Sequence, residues 1–282
     1  MFYWIYDVPS GWLVLLFSVL FVGFNTAGVL LMRRFGRRWL REPPGNELIG
    51  FILSAVGVFY GLMLGLIAVS SYENAAEASH VVAREATALG TLYRDVSSYP
   101  EPDRSRLQGV LKEYTAYVIT EAWPQQRQGI VALGNAPRMN KIQETLYAVE
   151  PTTTGHAITH AEALRQFNNF ATMRRERILA VKTSLPAIVW YVLIIGAVVS
   201  MALTWFLSVE KAGVHLVFTG AMAWMIGLSI FLIAALDNPF RGDLGVGPDA
   251  YELVYHDVMG VPEEPRLREA SQPAGPVATA PR

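Results

Sequence analysis

Four long apolar segments dominate the pattern of hydrophobic and polar positions along this chain. None of them contains an aspartate, glutamate, lysine or arginine, and each has about the 20 residues that a helix needs to cross a bilayer. Because backbone groups in lipid must bond to one another, the segments are predicted to be transmembrane helices rather than strands. They comprise residues 13–32, 48–69, 186–207 and 214–236.

A polar insertion of helical character separates the second and third of these segments. No glycine or proline interrupts residues 70–89, so the second helix is predicted to continue beyond the membrane and to end near Ser97. Pro124 is expected to end the next helix after Trp123. The insertion carries apolar residues at helical spacing over residues 107–118, 142–149 and 157–181. The predicted fold class is an all-α integral membrane protein with four transmembrane helices and a helical insertion between the second and third.

The chain is accordingly divided into six regions. An aromatic segment suited to the membrane interface comes first, and a proline-rich tail that is expected to be disordered comes last. The boundaries are 1–12 for the interfacial segment, 13–70 for transmembrane helices 1 and 2, 71–184 for the helical extramembrane domain, 185–236 for transmembrane helices 3 and 4, 237–260 for a short C-terminal motif region and 261–282 for the tail.

Composition supports a lipid bilayer as the surrounding solvent. Of the 282 residues, 52% are hydrophobic and only 17% are charged, against about 25% charged in ordinary globular domains. A net charge of -1 argues against nucleic acid as a partner. The protein is expected to lie in the cell (inner) membrane. Its first loop carries five arginines, which favours the cytoplasmic side of the membrane for that loop. These are Arg33, Arg34, Arg37, Arg38 and Arg41.

Small residues on the second helix form a candidate functional face. Gly57, Gly61 and Gly65 recur every four residues, and this spacing allows the close backbone approach by which membrane helices associate. The face is interpreted either as a packing surface against another helix of the same chain or as a seam between subunits that lines a pore. On the first helix, Asn25 is expected to form an interhelical hydrogen bond rather than to contact a substrate.

A charged stripe follows where the second helix leaves the membrane. Glu73, Glu77, His80 and Arg84 fall on one helix face. In an oligomer, the carboxylates of such a stripe could form a ring that selects cations. The alternative is an ordinary solvated or salt-bridged helix surface, which is the commoner role of such a pattern.

The C-terminal end of the fourth helix carries a compact motif of five residues, Asp237, Asn238, Pro239, Phe240 and Arg241. The proline stops the helix, whereas the carboxylate of Asp237 opposes the helix dipole. An anion in this position favours a specific partner, and Arg241 is the nearest candidate. The alternatives are screening by water at the surface and a direct role in transport.

No enzymatic site is predicted. His156 and His160 lie four residues apart, but the glutamate of the zincin motif and a third ligand are missing, so metal binding is not expected. The chain has no cysteine and no phosphate-binding glycine loop. We therefore expect no cofactor, and no catalytic residue is assigned.

Three stretches of the chain resemble the bestrophin-like domain-of-unknown-function family of bacterial and plant multi-pass membrane proteins. They are YENAAEA at 72–78 with REATAL at 84–89 and LYR at 92–94, then YTAYVI at 114–119 with WP at 123–124, and finally DNPFRG at 237–242 with VGP at 246–248. A serine is more usual than Gly247 before the last proline. The resemblance implies four membrane spans with a helical insertion between the second and third. By its name it also implies kinship with bestrophins, which are pentameric anion channels.

Two functions are left open by these observations. The first is an oligomeric ion channel, a homo-oligomer in which the second helix lines the pore through its glycines. The second is a membrane-anchored sensor or scaffold whose helical insertion binds a protein partner. The channel is favoured because four uncharged spans, the small-residue face and the family resemblance all agree with it.

Overall fold

The computed structural model describes residues 3–36, 45–131 and 135–262, and these residues contain helices and turns but no strand. The predicted all-α fold class is thereby confirmed. A short 3-10 helix, Tyr3–Asp7, comes first. The α-helices of the described residues are α1 Ser10–Leu31, α2 Asn46–Val96, α3 Asp103–Tyr117, α4 Trp123–Arg127, α5 Asn135–Tyr147, α6 Thr154–Ala180, α7 Ala187–Trp205, α8 Ala212–Leu236 and α9 Asp249–Leu253.

Four of these helices, α1, α2, α7 and α8, are long and apolar enough to cross a membrane. They coincide with the four predicted segments. The 51 residues of α2 correspond to a length of about 75 Å, more than twice the roughly 30 Å of a hydrocarbon core. Since α2 ends at Val96, the prediction of one continuous helix ending near Ser97 is confirmed.

Pro124 does not end a helix, contrary to the sequence prediction. A π-helical turn, Val118–Ala122, separates α3 from α4, and Pro124 is the second residue of α4. The chain is helical without interruption from Asp103 to Arg127, so Pro124 lies inside this run rather than at its end. The wider turn before it therefore allows the chain to remain helical through Arg127.

Some sequence predictions fall outside the described residues. Among the arginines of the first loop these are Arg37, Arg38 and Arg41, and most of the tail expected over 261–282 lies outside as well. The preference for a cytoplasmic first loop remains a prediction.

The described residues form two compact units. The first, which we call the membrane unit, comprises the described residues within 1–81, 125–131 and 175–247. Its core joins α1, α2, α7 and α8 through close helix contacts. The ring of Tyr60 packs over Gly196, and its hydroxyl donates a 2.9 Å hydrogen bond to the carbonyl oxygen of Leu193. Glycine at 196 thus lets α2 and α7 approach closely, as small residues do in membrane proteins.

The second unit comprises the described residues within 82–124, 132–174 and 248–282. Its core contains aromatic side chains from α3, α4, α6 and α9. The rings of Tyr114 and Phe170 meet edge to face at 5.4 Å, and Trp123 lies 6.0 Å from Tyr251. All four side chains are buried, so burial of large apolar area holds the insertion and the C-terminal helix together.

Candidate functional site

One face of α2 packs on the rest of its own chain. Ile49, Tyr60 and Leu64 are the buried apolar residues of its membrane-spanning part, with 5–7% of their surface exposed. The Tyr60 hydroxyl anchors this face to α7. Since successive residues turn by about 100° around a helix, these three residues mark one side of α2 and leave the other sides available.

The glycine face of α2 is open in the single chain. Apart from the surrounding backbone of α2 and the residues next to each glycine, no heavy atom of the described residues lies within 4 Å of a Cβ built on Gly57, Gly61 or Gly65. Of the two interpretations offered by the sequence, packing against a helix of the same chain thus finds no contact among the described residues. The seam between subunits stays a hypothesis that the open face allows.

A second open face of α2 lies opposite its packed face and carries larger side chains. Phe51, Val58, Leu62 and Val69 are 55–75% exposed. Phe51 and Tyr60 are nine residues apart, so their side chains point in roughly opposite directions from the helix axis. The spacing 51, 58, 62, 69 keeps these four side chains on one side of the helix. We call them the apolar stripe.

The charged residues singled out from the sequence continue the apolar stripe rather than the glycine face. Glu73 and His80 follow Val69 at the same helical spacing, and Glu77 and Arg84 are adjacent to them on the helix. All four side chains are exposed. Along one side of α2, large apolar groups thus give way to carboxylates and an imidazole where the helix leaves its apolar section.

Asn25 is buried between α1 and the end of α7. Its Oδ1 accepts hydrogen bonds from Trp205 Nε1 at 3.0 Å and from Thr204 Oγ1 at 3.3 Å. The indole of Trp205 also lies against Gly28, one turn further along α1. These contacts give Asn25 an interhelical role in the membrane unit.

The C-terminal motif begins with a well-bonded carboxylate. Asp237 accepts hydrogen bonds from the backbone N–H of Leu185, from the side chain of Trp190 and from Asn238 Nδ2. Asn238 also donates to the hydroxyl of Tyr6 at 2.8 Å. Burial raises the pKa of the Asp237 carboxyl, while the bonds from Leu185 and Trp190 act in the opposite direction. These donors offset the unfavourable position at the end of α8.

Arg241, which the sequence suggests as the partner of Asp237, is engaged elsewhere. Its Nη2 donates a 2.5 Å hydrogen bond to the carbonyl oxygen of Gln128. The guanidinium lies directly over Gly129, whose φ of +74° is a left-handed conformation that favours glycine. Pro239 and Phe240, between the two charged residues, are buried. Arg241 therefore fastens the motif to residues 125–131.

The second unit holds a polar pair that includes one of the two histidines. A hydrogen bond of 2.8 Å joins the Tyr99 hydroxyl to His160 Nδ1. Burial lowers the pKa of His160, and burial with the nearby Asp95 and Asp103 carboxylates raises the pKa of Tyr99 to about 12. His156 does not join this pair but lies 3.4 Å from the Thr152 hydroxyl. The described residues contain no group of three His, Asp or Glu side chains that could hold a metal ion.

Sequence reasoning missed the apolar stripe of α2 and the donors to Asp237. Helical spacing would have found the stripe, because residues 51, 58, 62, 69, 73 and 80 follow one face. No local signal could have found Leu185 and Trp190, which are about 50 residues from Asp237 in the chain.

Comparison with known proteins identifies a family and a fold. The bestrophin-like domain matches residues 19–251. No curated protein sequence is significantly similar to the chain. A crystal structure of a mutated bacterial bestrophin homolog from Klebsiella pneumoniae has a TM-score of 0.66 at 12% identity, covering 88% of this chain and 99% of that one. The homolog solved by Zn-SAD phasing has a TM-score of 0.64 at 13% identity, covering 88% and 98%. Such low identities establish the fold alone.

Proposed function

The chain belongs to the bestrophin-like family, and on this basis we propose that it is an oligomeric ion channel of the cell (inner) membrane. Kinship with bestrophins, which form channels from several subunits, supports the proposal. The shared fold of the bacterial homologs is compatible with it.

The proposal depends on one observation: most of the apolar surface of α2 is not buried by other parts of its own chain. Only 11% of its apolar section is buried within the chain, against 39% of the corresponding section of α8. A helix whose glycine face and apolar stripe both lack contacts within its own chain can pack against copies of itself. Close approach through Gly57, Gly61 and Gly65 would form the seam between neighbouring α2 helices.

In this arrangement the apolar stripe faces the pore. We place one α2 helix from each subunit in a ring around the pore, with the rest of each subunit outside the ring. Because the stripe lies opposite the packed face of α2, it then points toward the pore axis. Phe51, Val58 and Leu62 would form a hydrophobic constriction of the pore. Ions pass such a constriction only when water fills it. Glu73 and His80 would line the wider mouth, where their charges influence which ions enter.

Planar bilayers containing the purified full-length protein test the constriction. The wild type should pass current, and Leu62→Ser should raise the conductance severalfold because a hydroxyl eases wetting of the narrow section. Leu15→Ser is the matched control, since Leu15 is similarly exposed on α1 (55% against 62%) but lies outside the stripe. An equal effect of both substitutions would contradict the assignment of the stripe to the pore.

Mass measurement in detergent tests the seam. Gly61→Leu should break the oligomer, because a large side chain separates the α2 backbones. Gly23→Leu should leave the mass unchanged, since Gly23 is equally open but lies on α1. A monomeric wild type would contradict the proposal. A folded oligomer that stays silent across several salts would favour the alternative of a membrane-anchored scaffold.

A further inference from the structure

A cavity in the membrane unit lies apart from α2 and is not used by the proposed channel. Its volume is about 370 Å³, within the range of roughly 300–1,000 Å³ that is typical of small-molecule sites. Helices α1, α7 and α8 form its walls. Most of the wall is apolar, including Leu16, Leu20, Phe24, Ile194, Val198 and Met201.

The cavity has the length of one lipid leaflet. Trp190 and Met201 both line it and are eleven residues apart on α7, which corresponds to about 16 Å along the helix. Half of a hydrocarbon core is about 15 Å. Leu20 is 59% and Val198 is 40% exposed, so the groove is open along its side as well. A single acyl chain can therefore enter laterally and lie along the groove.

One end of the cavity is polar and carries a negative charge. Asp237 and Asn238 line this end at the C-terminus of α8, and Tyr6 and Trp190 bond to them. Among the described residues that line the cavity, Asp237 is the only charged one. The end therefore repels an anionic head group and attracts a cationic one.

Aromatic rings strengthen the preference for a cation. Trp4, Tyr6 and Trp190 all line the cavity, and the last two are tied to the Asp237–Asn238 end by hydrogen bonds. The faces of indole and phenol rings attract ammonium groups. A carboxylate with aromatic neighbours at the end of an apolar groove matches an amphiphile with a hydrocarbon chain and an ammonium head.

We propose that this cavity binds a membrane phospholipid whose acyl chain fills the groove and whose ammonium head group, as in phosphatidylethanolamine, lies against the Asp237 carboxylate. The site does not depend on α2 or on ion conduction. Its test and the test of the channel can therefore fail independently.

Native mass spectrometry of the full chain in a nonionic detergent tests the site. The probes are phosphatidylethanolamine and phosphatidylglycerol with identical acyl chains. We expect the wild type to retain the ethanolamine lipid about tenfold more tightly, as a desolvated ammonium contact implies. Val198→Trp should abolish this retention by filling the groove. Val199→Trp should preserve it, because Val199 is similarly exposed (45%) but does not line the cavity.

The head-group contact is tested separately. N-acetylated phosphatidylethanolamine keeps the acyl chains but lacks the ammonium, so its binding should fall to the level of phosphatidylglycerol. Asp237→Asn should remove the difference between the lipids, and the acetylated lipid gives the same information if this variant does not fold. Equal retention of all three lipids by the wild type would overturn the proposal. The proposal would also be overturned if Val198→Trp bound the lipids as the wild type does but no longer formed the oligomer. That result would assign the groove to contact with a second copy of the chain.

Discussion

The contact between Gly28 and Trp205 allows a stability effect to be worked out from the structure. A Cβ on Gly28 would lie 2.7 Å from Trp205 Cδ2 and closer still to two other carbons of the indole. Gly28→Ala therefore forces the ring away from α1. The same indole donates its N–H to Asn25 Oδ1 at 3.0 Å, so moving the ring also breaks an interhelical hydrogen bond.

The two losses set the expected magnitude. Inserting a methyl group into a packed site costs about 1–3 kcal/mol. An interhelical hydrogen bond in a membrane protein contributes about 0.6 kcal/mol on average and up to about 1.7 kcal/mol. We therefore expect Gly28→Ala to lower the free energy of unfolding by about 2–4 kcal/mol.

Reversible unfolding of the detergent-solubilised protein measures this change. Gly23→Ala is the matched control on the same helix, because its added Cβ has no heavy atom of the described residues within 4 Å apart from the surrounding backbone of α1 and the adjacent residues. The control should be neutral or slightly stabilising, since alanine favours a helix more than glycine does. If the two variants unfold at the same free energy, the close approach of Trp205 to α1 is refuted.

Two further predictions concern the polar contacts of each unit. Burial lowers the pKa of His160 in the folded protein, whereas in the unfolded chain the pKa of a histidine is about 6.5. Below that pH the unfolded chain therefore binds more protons than the folded protein, so the free energy of unfolding should fall as the pH drops through this range. His160→Asn should reduce this dependence in pH-resolved unfolding, and an unchanged slope would contradict the shift. Arg241→Lys keeps the charge but loses the planar fork that reaches Gln128, so it should cost about 1.5–3 kcal/mol in denaturant unfolding. An unfolding free energy equal to that of the wild type would show that the contact does not stabilise the protein.

The fold was largely readable from the sequence because lipid and water impose different rules on a chain. A charge-free segment of about 20 residues has one stable conformation in a bilayer, and an uninterrupted run after it extends the helix. The four spans and the end of α2 at Val96 follow from these rules. Pro124 does not end its helix because a π-helical turn precedes it, and that turn has no evident sequence signal.

The candidate sites were only partly readable, for a reason specific to membranes. Every position in a transmembrane helix is apolar, whether it faces lipid, another helix or a pore, so hydropathy does not distinguish the sides of α2. Only packing shows that Tyr60 faces the chain while Gly61 does not. The sequence by itself determined where the chain crosses the membrane. The tertiary structure decided which faces are left open and brought Leu185 to Asp237, because contacts between distant segments depend on helix packing rather than on local pattern.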